Sequence, residues 1–570
     1  MSVSTMLHFS DADEGIPVEE FTDQEAEALG RYVTNTESNI FAWKVGDLLG
    51  PEQAGALLSR YSRTTLTGRR LLLKEFIPNS NRGREFFEAW LVDYGDDSIQ
   101  EMAGGLPLSC EFISMVACKE IEDSRIGSYI EKSTRYVPFD KKMPNGEYMF
   151  YRDPDIMNSR YSGDYLDLMN SLFSSYSKYL PIMAQHIREI NPLENQKFRL
   201  GDESVSIHDA GEKTEERYGV TYADLNKAYE NSVKASALDL MRDYLPLSTL
   251  SHVGISMNAR SYEYLILKLL SSPMKECRWV ASRMDSELSK VVPSLLKRVS
   301  DKQGDAMRDF LSGRNANTSS AIALARIPET EVSDESPVSL SWYTGIDSDA
   351  PDNEVQISLL APILYRFGST GSMAESFRAA SAMAPKDRMK IISSYVGERL
   401  NRRHKPGRAF ENSEYLFDLR GRIGIFRDLQ RHRIGTQERQ IFGTRYGYNT
   451  RKEYDSIGIR DDYEDLMGRV IDLYGKISNK MPFQAQYAVT FGFDARWYYR
   501  ANARQLFHLF ELRTLPGGHP DYRNLVKEMY HKVREVHPSV ANYMKFVNLG
   551  DKTLGRLDSE VRIAVKRAKL

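Results

Sequence analysis

Cysteine is scarce: Cys110, Cys118 and Cys277 are the three thiols in 570 residues, and no two form a CxxC pair. A disulfide-stapled scaffold is therefore excluded, and a reduced, cytoplasmic compartment with buried thiols is expected. No apolar run approaches the roughly eighteen residues of a membrane span, and the best candidate, Tyr264 to Leu270, is broken by Lys268. A membrane protein is excluded on this reading, and the N-terminus lacks the basic then apolar start of a secretory leader. Neither charge sign dominates, since 76 Lys+Arg face 79 Asp+Glu for a formal charge of −3. Tyr446 and Tyr448 lie near cations, but a net acidic chain without a long basic stripe argues against nucleic acid as a partner. What is present is ordinary globular composition, 41% hydrophobic and 11% aromatic. The length suits about two to four domains.

The first thirty residues carry eight acids and no Lys or Arg, so residues 1–35 are expected to form a loose acidic tail. Helical periodicity begins near Asn39, resumes from Arg70 through Phe76 to Trp90, and starts again near Ser98. Residues 301–354 are rich in Ser, Asp, Asn, Pro and Gly and read as a linker. This divides the chain into a first domain over 36–300 and a second over 355–570.

The two sides of that boundary share short identities in the same order. Arg125-Ile-Gly-Ser recurs as Arg433-Ile-Gly-Thr and Thr134-Arg-Tyr as Thr444-Arg-Tyr; Asn258-Ala-Arg recurs as Asn502-Ala-Arg and Pro293-Ser as Pro538-Ser. The displacement falls from about 308 to about 244 along the series, as a tandem duplication predicts if the first copy carries about 64 extra residues. The polar stretch around 141–230 suits that insertion.

The strongest local feature is Asn401 to Thr450, where eleven Lys/Arg face five Asp/Glu. At its centre stands Arg431-His432-Arg433, after the apolar residues Ile423, Ile425, Phe426 and Leu429. Adjacent guanidiniums repel unless an anion offsets them, and Arg forks match phosphate or carboxylate oxygens in pairs. Lys405-Pro-Gly-Arg408 reads equally as a phosphate-holding turn or a surface loop. His519, His531 and His537 lack metal-ligand spacing and read as structural, so no metal site is expected.

An RHR triplet, seven intervening residues, a Ser and an Arg two further on resembles the signature of flavin-dependent thymidylate synthases. Here that signature is split. The first copy has Glu131, Ser133 and Arg135 but Asp123-Ser124 in place of Arg-His; the second has Arg431-His432-Arg433 but Ile441, or Gly443 in a shifted alignment, in place of the Ser. The resemblance covers about residues 70–300 and 360–550. It implies an α+β protein of two tandem domains, each a small mixed or antiparallel sheet with packed helices.

Carried over residue by residue, the resemblance implies FAD contacts at His404, Glu411, Arg431, His432, Arg433, Asn502, Arg504 and His508. Nucleotide contacts are implied at Glu131, Ser133, Arg135, Arg431 and Arg513, with Arg431 and Arg513 closest to the chemistry. In the first copy Asp96 replaces the His and Leu269 the nucleotide Arg, while Glu101, Asn258 and Arg260 remain. The implied reaction converts dUMP to dTMP with methylenetetrahydrofolate and NADPH as co-substrates. A homodimer forming a pseudo-tetramer is implied, in which the second copy supplies the flavin side and the first copy Glu131, Ser133 and Arg135. Two readings stay beside it, a flavoprotein modifying another pyrimidine nucleotide and a non-catalytic nucleotide- or flavin-binding protein. At 100° per residue Asn502 and Arg513 lie about 20° apart, Arg504 and His508 about 40° apart, and the two pairs face nearly opposite ways. One regular helix therefore cannot aim all four at one ligand.

Overall fold

A computed structural model describes residues 7–9, 16–79, 98–143, 145–209, 211–325, 336–368 and 371–568. The start of the acidic tail, residues 10–15, the run from 80 to Trp90, Asp96 and residues 326–335 of the expected linker lie outside them.

The duplication is visible in the order of elements. The first copy runs β1 (Ile40–Ala42), β2 (Leu106–Ser114), α1 (Met115–Ile121) and β3 (Ser128–Glu131). A helical excursion containing α2 (Ser162–Ile190) and α3 (Tyr222–Met241) leads to β4 (Leu250–Met257), α4 (Ala259–Leu270) and α5 (Lys275–Ser289). The second copy repeats the series as β5 (Val338–Tyr343), β6 (Glu414–Arg422), α6 (Ile423–Gln430) and β7 (Thr436–Arg439). A shorter excursion with α7 (Arg460–Ser478) then precedes β8 (Asp494–Asn502), α8 (Ala503–Arg513) and α9 (Pro520–Val536). The two four-stranded antiparallel sheets have one strand order, β1-β2-β4-β3 and β5-β6-β8-β7. Residues 132–249 separate β3 from β4 and residues 440–493 separate β7 from β8, so the excess of about 64 falls in the expected excursion. Within it, strands Lys197–Leu200 and Glu203–Ser206 form a two-stranded ribbon.

The recurring Asn-Ala-Arg has a backbone explanation. Asn258 and Asn502 end a central strand, and each accepts from the N–H three residues on, Ser261 at 2.9 Å and Gln505 at 3.0 Å, capping the next helix. Ser and Asn favour this position because their short oxygens satisfy orphan N–H groups of the first turn.

Two compact units result, and their limits differ from the expected domains. One comprises Met1–Glu331, Phe442–Phe493 and Leu557–Leu570; the other comprises Val332–Ile441 and Asp494–Arg556. The second copy's helical excursion thus belongs to the first unit. There Leu247 N donates to Val489 O at 2.8 Å and Phe491 N to Leu245 O at 3.0 Å, joining equivalent segments that lead into β4 and β8. Arg451 grips Asp243 through Nε and Nη2 at 2.6 and 3.2 Å, and the Tyr244 ring meets those of Tyr454 and Tyr463.

Two other expectations are corrected. Residues 16–33 are folded, with Ile16, Glu19, Leu29 and Val33 buried and a helix over Asp23–Gly30 closed by a capping box from Thr22 and Glu25. Their acids are offset by a cation remote in sequence, since Arg70 pairs with Glu19 at 2.8 Å and Glu25 at 2.5 Å. Nor is 301–354 a plain linker. It contains the helix Lys302–Ala321, capped by Asp301, and the edge strand β5, whose serines disguise its alternation.

The first unit also buries an acid. Glu276 on α5 accepts from Ser114 N at 2.7 Å, Ser114 Oγ at 2.6 Å and Tyr487 OH at 2.7 Å. Burial pushes its carboxyl up to about 7 despite those donors. A raised folded value means stability fully present below the ordinary carboxyl range and lost as pH rises through about 7. Asp153, pushed up to about 6 by burial, finishes its own transition earlier. Glu276→Gln is therefore expected to flatten the decline in melting temperature approaching pH 7, read by calorimetry. An unchanged slope contradicts this.

Candidate functional site

In the second unit, α6 buries Ile423, Ile425, Phe426 and Leu429, and the chain turns immediately after it. Arg431 is exposed at the helix C-cap, His432 is buried and Arg433 is half-buried. Cations suit a helix C-terminus, where unpaired carbonyls leave partial negative charge. The His432 side chain differs from its neighbours in kind. Its Nε2 accepts from Arg513 Nε at 2.7 Å, and a guanidinium can only donate, so this imidazole is neutral with its proton on Nδ1. Burial first, then the charges of Arg513, His508, Arg431 and Arg433, hold His432 well below the usual histidine range. The His508 ring lies 5.4 Å from that of His432, and the Arg513 guanidinium lies 5.6 Å from the Tyr522 ring. Among the described residues no carboxylate forms an ion pair with half-buried Arg513.

A second cluster fixes the loop before β6. Arg504 donates to Pro406 O at 2.9 Å and Glu411 Oε1 at 3.4 Å, while Arg408 reaches Glu411 at 3.2 Å. His404 is exposed, its Nδ1 accepting from Leu400 N at 3.4 Å and its Nε2 lying 3.1 Å from the Asn401 amide. Arg399 donates to the His404 carbonyl and holds Glu511 of α8 through both Nη atoms.

These contacts revise the pairing expected along α8. Asn502 stands outside the helix as its cap, Arg504 turns to the 404–411 loop, and His508 and Arg513 approach His432 together. The expectation of a direct flavin contact by His432 meets a buried side chain already engaged by Arg513.

The first unit holds the complementary residues. Lys119 reaches Glu131 at 3.1 Å and also binds Glu122. Ser133 Oγ accepts from Arg135 N at 3.2 Å, folding a tight local turn. Arg135 grips Asp239 of α3 through Nε and Nη2 at 2.6 and 2.7 Å, and both side chains are largely buried. Asp239 was not legible as a partner, being 104 positions away and outside any motif. At the place of Arg431, the first copy has Asp123 ion-paired with Lys268 at 2.5 Å, beside Leu269 at the place of Arg513.

The three histidines read as structural from the sequence each meet a neighbouring group. His519 caps α9 by accepting from Asp521 N at 3.1 Å, His537 lies 2.9 Å from Tyr415 OH, and the His531 ring packs on Tyr530. Among the described residues no group of three or more His, Cys, Asp or Glu could hold a metal ion, and no helix is long and apolar enough to cross a membrane.

Comparison with known proteins agrees with this layout. Residues 50–294 and 348–539 match the Thy1 family, described as thymidylate synthase complementing protein. A UPF0159 protein of Chlamydia pneumoniae is 34% identical over 563 residues, 95% of this chain and 98% of that protein. A UPF0159 protein of Thermoplasma acidophilum is 32% identical over 517 residues, 90% of this chain and 98% of that one. Among solved structures, a UMP/dUMP methylase of Streptomyces cacaoi bound with 5-bromo-dUMP aligns at 15% identity and a TM-score of 0.28, covering 36% of this chain and 94% of its own. Two matched segments, one topology twice and a signature divided between them lead to one conclusion: the chain belongs to the Thy1 family, the flavin-dependent thymidylate synthases that its motifs resemble, as a tandem duplication.

Proposed function

We propose that this protein is a flavin-dependent thymidylate synthase that converts dUMP to dTMP, with methylenetetrahydrofolate as one-carbon donor and NADPH as reductant. The observation that carries the reading is Arg513, a half-buried guanidinium held by a neutral imidazole, with no carboxylate ion pair among the described residues. A guanidinium drawn partly out of water beside a neutral acceptor keeps its full charge, so this arrangement favours an anionic ligand.

In this reading Arg431 and Arg513 hold positive charge beside the pyrimidine, where electron density builds as its C5 becomes nucleophilic. Arg135 belongs to the nucleotide side through its place in the signature; its two-point grip on Asp239 fixes the side chain and, through its N–H to Ser133 Oγ, the turn that presents Ser133. Ser133 and Glu131 complete that side. In a homodimer forming a pseudo-tetramer, each nucleotide site takes one set from a second copy and the other from a first copy.

The donor set of the second copy fits a flavin dinucleotide. Arg431, Arg433, Arg504 and His404 offer several N–H donors to a pyrophosphate, with Glu411 and Asn502 ordering that wall. When bound, FAD supplies the redox chemistry of the reaction. In the first copy the Asp123–Lys268 pair neutralises the equivalent place, so one FAD per chain is expected.

Two substitutions test the division of labour. Arg431→Ala is expected to weaken both FAD and dUMP binding, while Ser133→Ala weakens dUMP alone, each read by equilibrium titration. Unchanged binding in both variants rules out the shared site. Retained flavin with no turnover in the unmodified protein instead favours a sensing role.

A further inference from the structure

We infer that His432 is a positioning residue for Arg513: the middle member of the RHR triplet loads the nucleotide-facing guanidinium instead of contacting the flavin itself. The inference rests on the nucleotide role proposed for Arg513.

Three observations carry it. The contact is made by Arg513 Nε, at 2.7 Å from His432 Nε2, so the terminal nitrogens of the fork are not consumed by it. The acceptor is uncharged, so it orients the guanidinium without neutralising it, whereas a carboxylate in the same place would occupy the fork and cancel its charge. Tyr522, itself buried, lies along the guanidinium and restricts it further. Arg513 is thereby aimed but still electrically available.

The first copy supplies an internal comparison. Aligning Arg125 with Arg433 puts Ser124 at the place of His432, and aligning Asn258 with Asn502 puts Leu269 at the place of Arg513. The imidazole and the guanidinium are absent together, as expected if one side chain exists to hold the other.

The test uses the full-length, FAD-loaded protein and dUMP as titrant. Arg513→Ala is measured first and sets the size of the Arg513 contribution. His432→Leu is then expected to weaken dUMP binding by about 10- to 100-fold, the range for a lost hydrogen bond to a charged group, with flavin retention unchanged. His432→Gln, whose amide oxygen reaches the place of Nε2, is expected to restore most of the affinity, and His432→Asn, whose oxygen falls short, is not. The His432→Leu/Arg513→Ala double variant should bind dUMP no more weakly than Arg513→Ala alone. If Arg513→Ala leaves dUMP affinity intact, the nucleotide role of Arg513 fails and the inference falls with it. If Arg513→Ala weakens binding but His432→Leu does not, or the two losses add, the inference alone is overturned. Loss of flavin from His432→Leu with dUMP affinity retained restores the direct flavin contact. Should His432→Leu not fold, the contrast between Gln and Asn decides the matter.

Discussion

Replacing Arg513 by alanine is expected to lower kcat/KM for dUMP by about 10² to 10³-fold, the range seen when one preorganised donor is removed from a developing negative charge. The guanidinium is fixed by His432 and Tyr522 before any ligand arrives, so no ordering is left for the reaction step. Its removal should therefore reach kcat as well as KM. Arg513→Lys keeps the charge but loses the planar fork and the Nε donor, and should recover only part of the loss. A steady-state comparison checks this, and a kcat/KM within twofold of the parent in Arg513→Ala would remove Arg513 from the chemistry.

The largest expected effect on stability is at Glu511. Its carboxylate receives both Nη atoms of Arg399, at 2.7 and 2.5 Å, with side-chain exposures of 0% and 2%. Arg399 also donates to Tyr543 O at 2.7 Å and lies over the rings of Phe507 and Phe546, 4.9 and 5.2 Å from their centroids. Glu511→Ala strands a buried guanidinium and is expected to cost about 3–5 kcal/mol, far more than the intact pair contributes relative to an apolar replacement. The same arginine holds the His404 carbonyl, so flavin affinity should fall with stability. Denaturant unfolding monitored beside flavin fluorescence separates the two effects. A loss below about 1 kcal/mol would show that the pair is solvated in the folded protein.

The duplication was legible because it is written in local chemistry. Asn-Ala-Arg recurs where a strand ends and a helix must be capped, and Arg-Ile-Gly-Ser/Thr and Thr-Arg-Tyr recur at turns, where few residue types fit. What spacing could not show were partners chosen across the chain. The acids before residue 30 read as self-repelling until Arg70 is seen beside Glu19 and Glu25. Arg135 read as a nucleotide contact from its motif, and Asp239, which sits in its fork, belongs to no motif. The middle of Arg431-His432-Arg433 read as one more donor, because composition carries no burial; inside the protein it is an acceptor. The placement of Phe442–Phe493 in the first unit was equally hidden, since sequence order suggested that each copy would fold with its own excursion.

The central claim is that two incomplete copies make one working enzyme. The most direct test is mass-spectrometric detection of dTMP after incubating the purified, FAD-loaded protein with dUMP, methylenetetrahydrofolate and NADPH. The account predicts dTMP that disappears when FAD is omitted and in both Arg431→Ala and Ser133→Ala, one residue from each copy. Absence of dTMP with flavin still bound, or dTMP formation indifferent to Ser133, would contradict it.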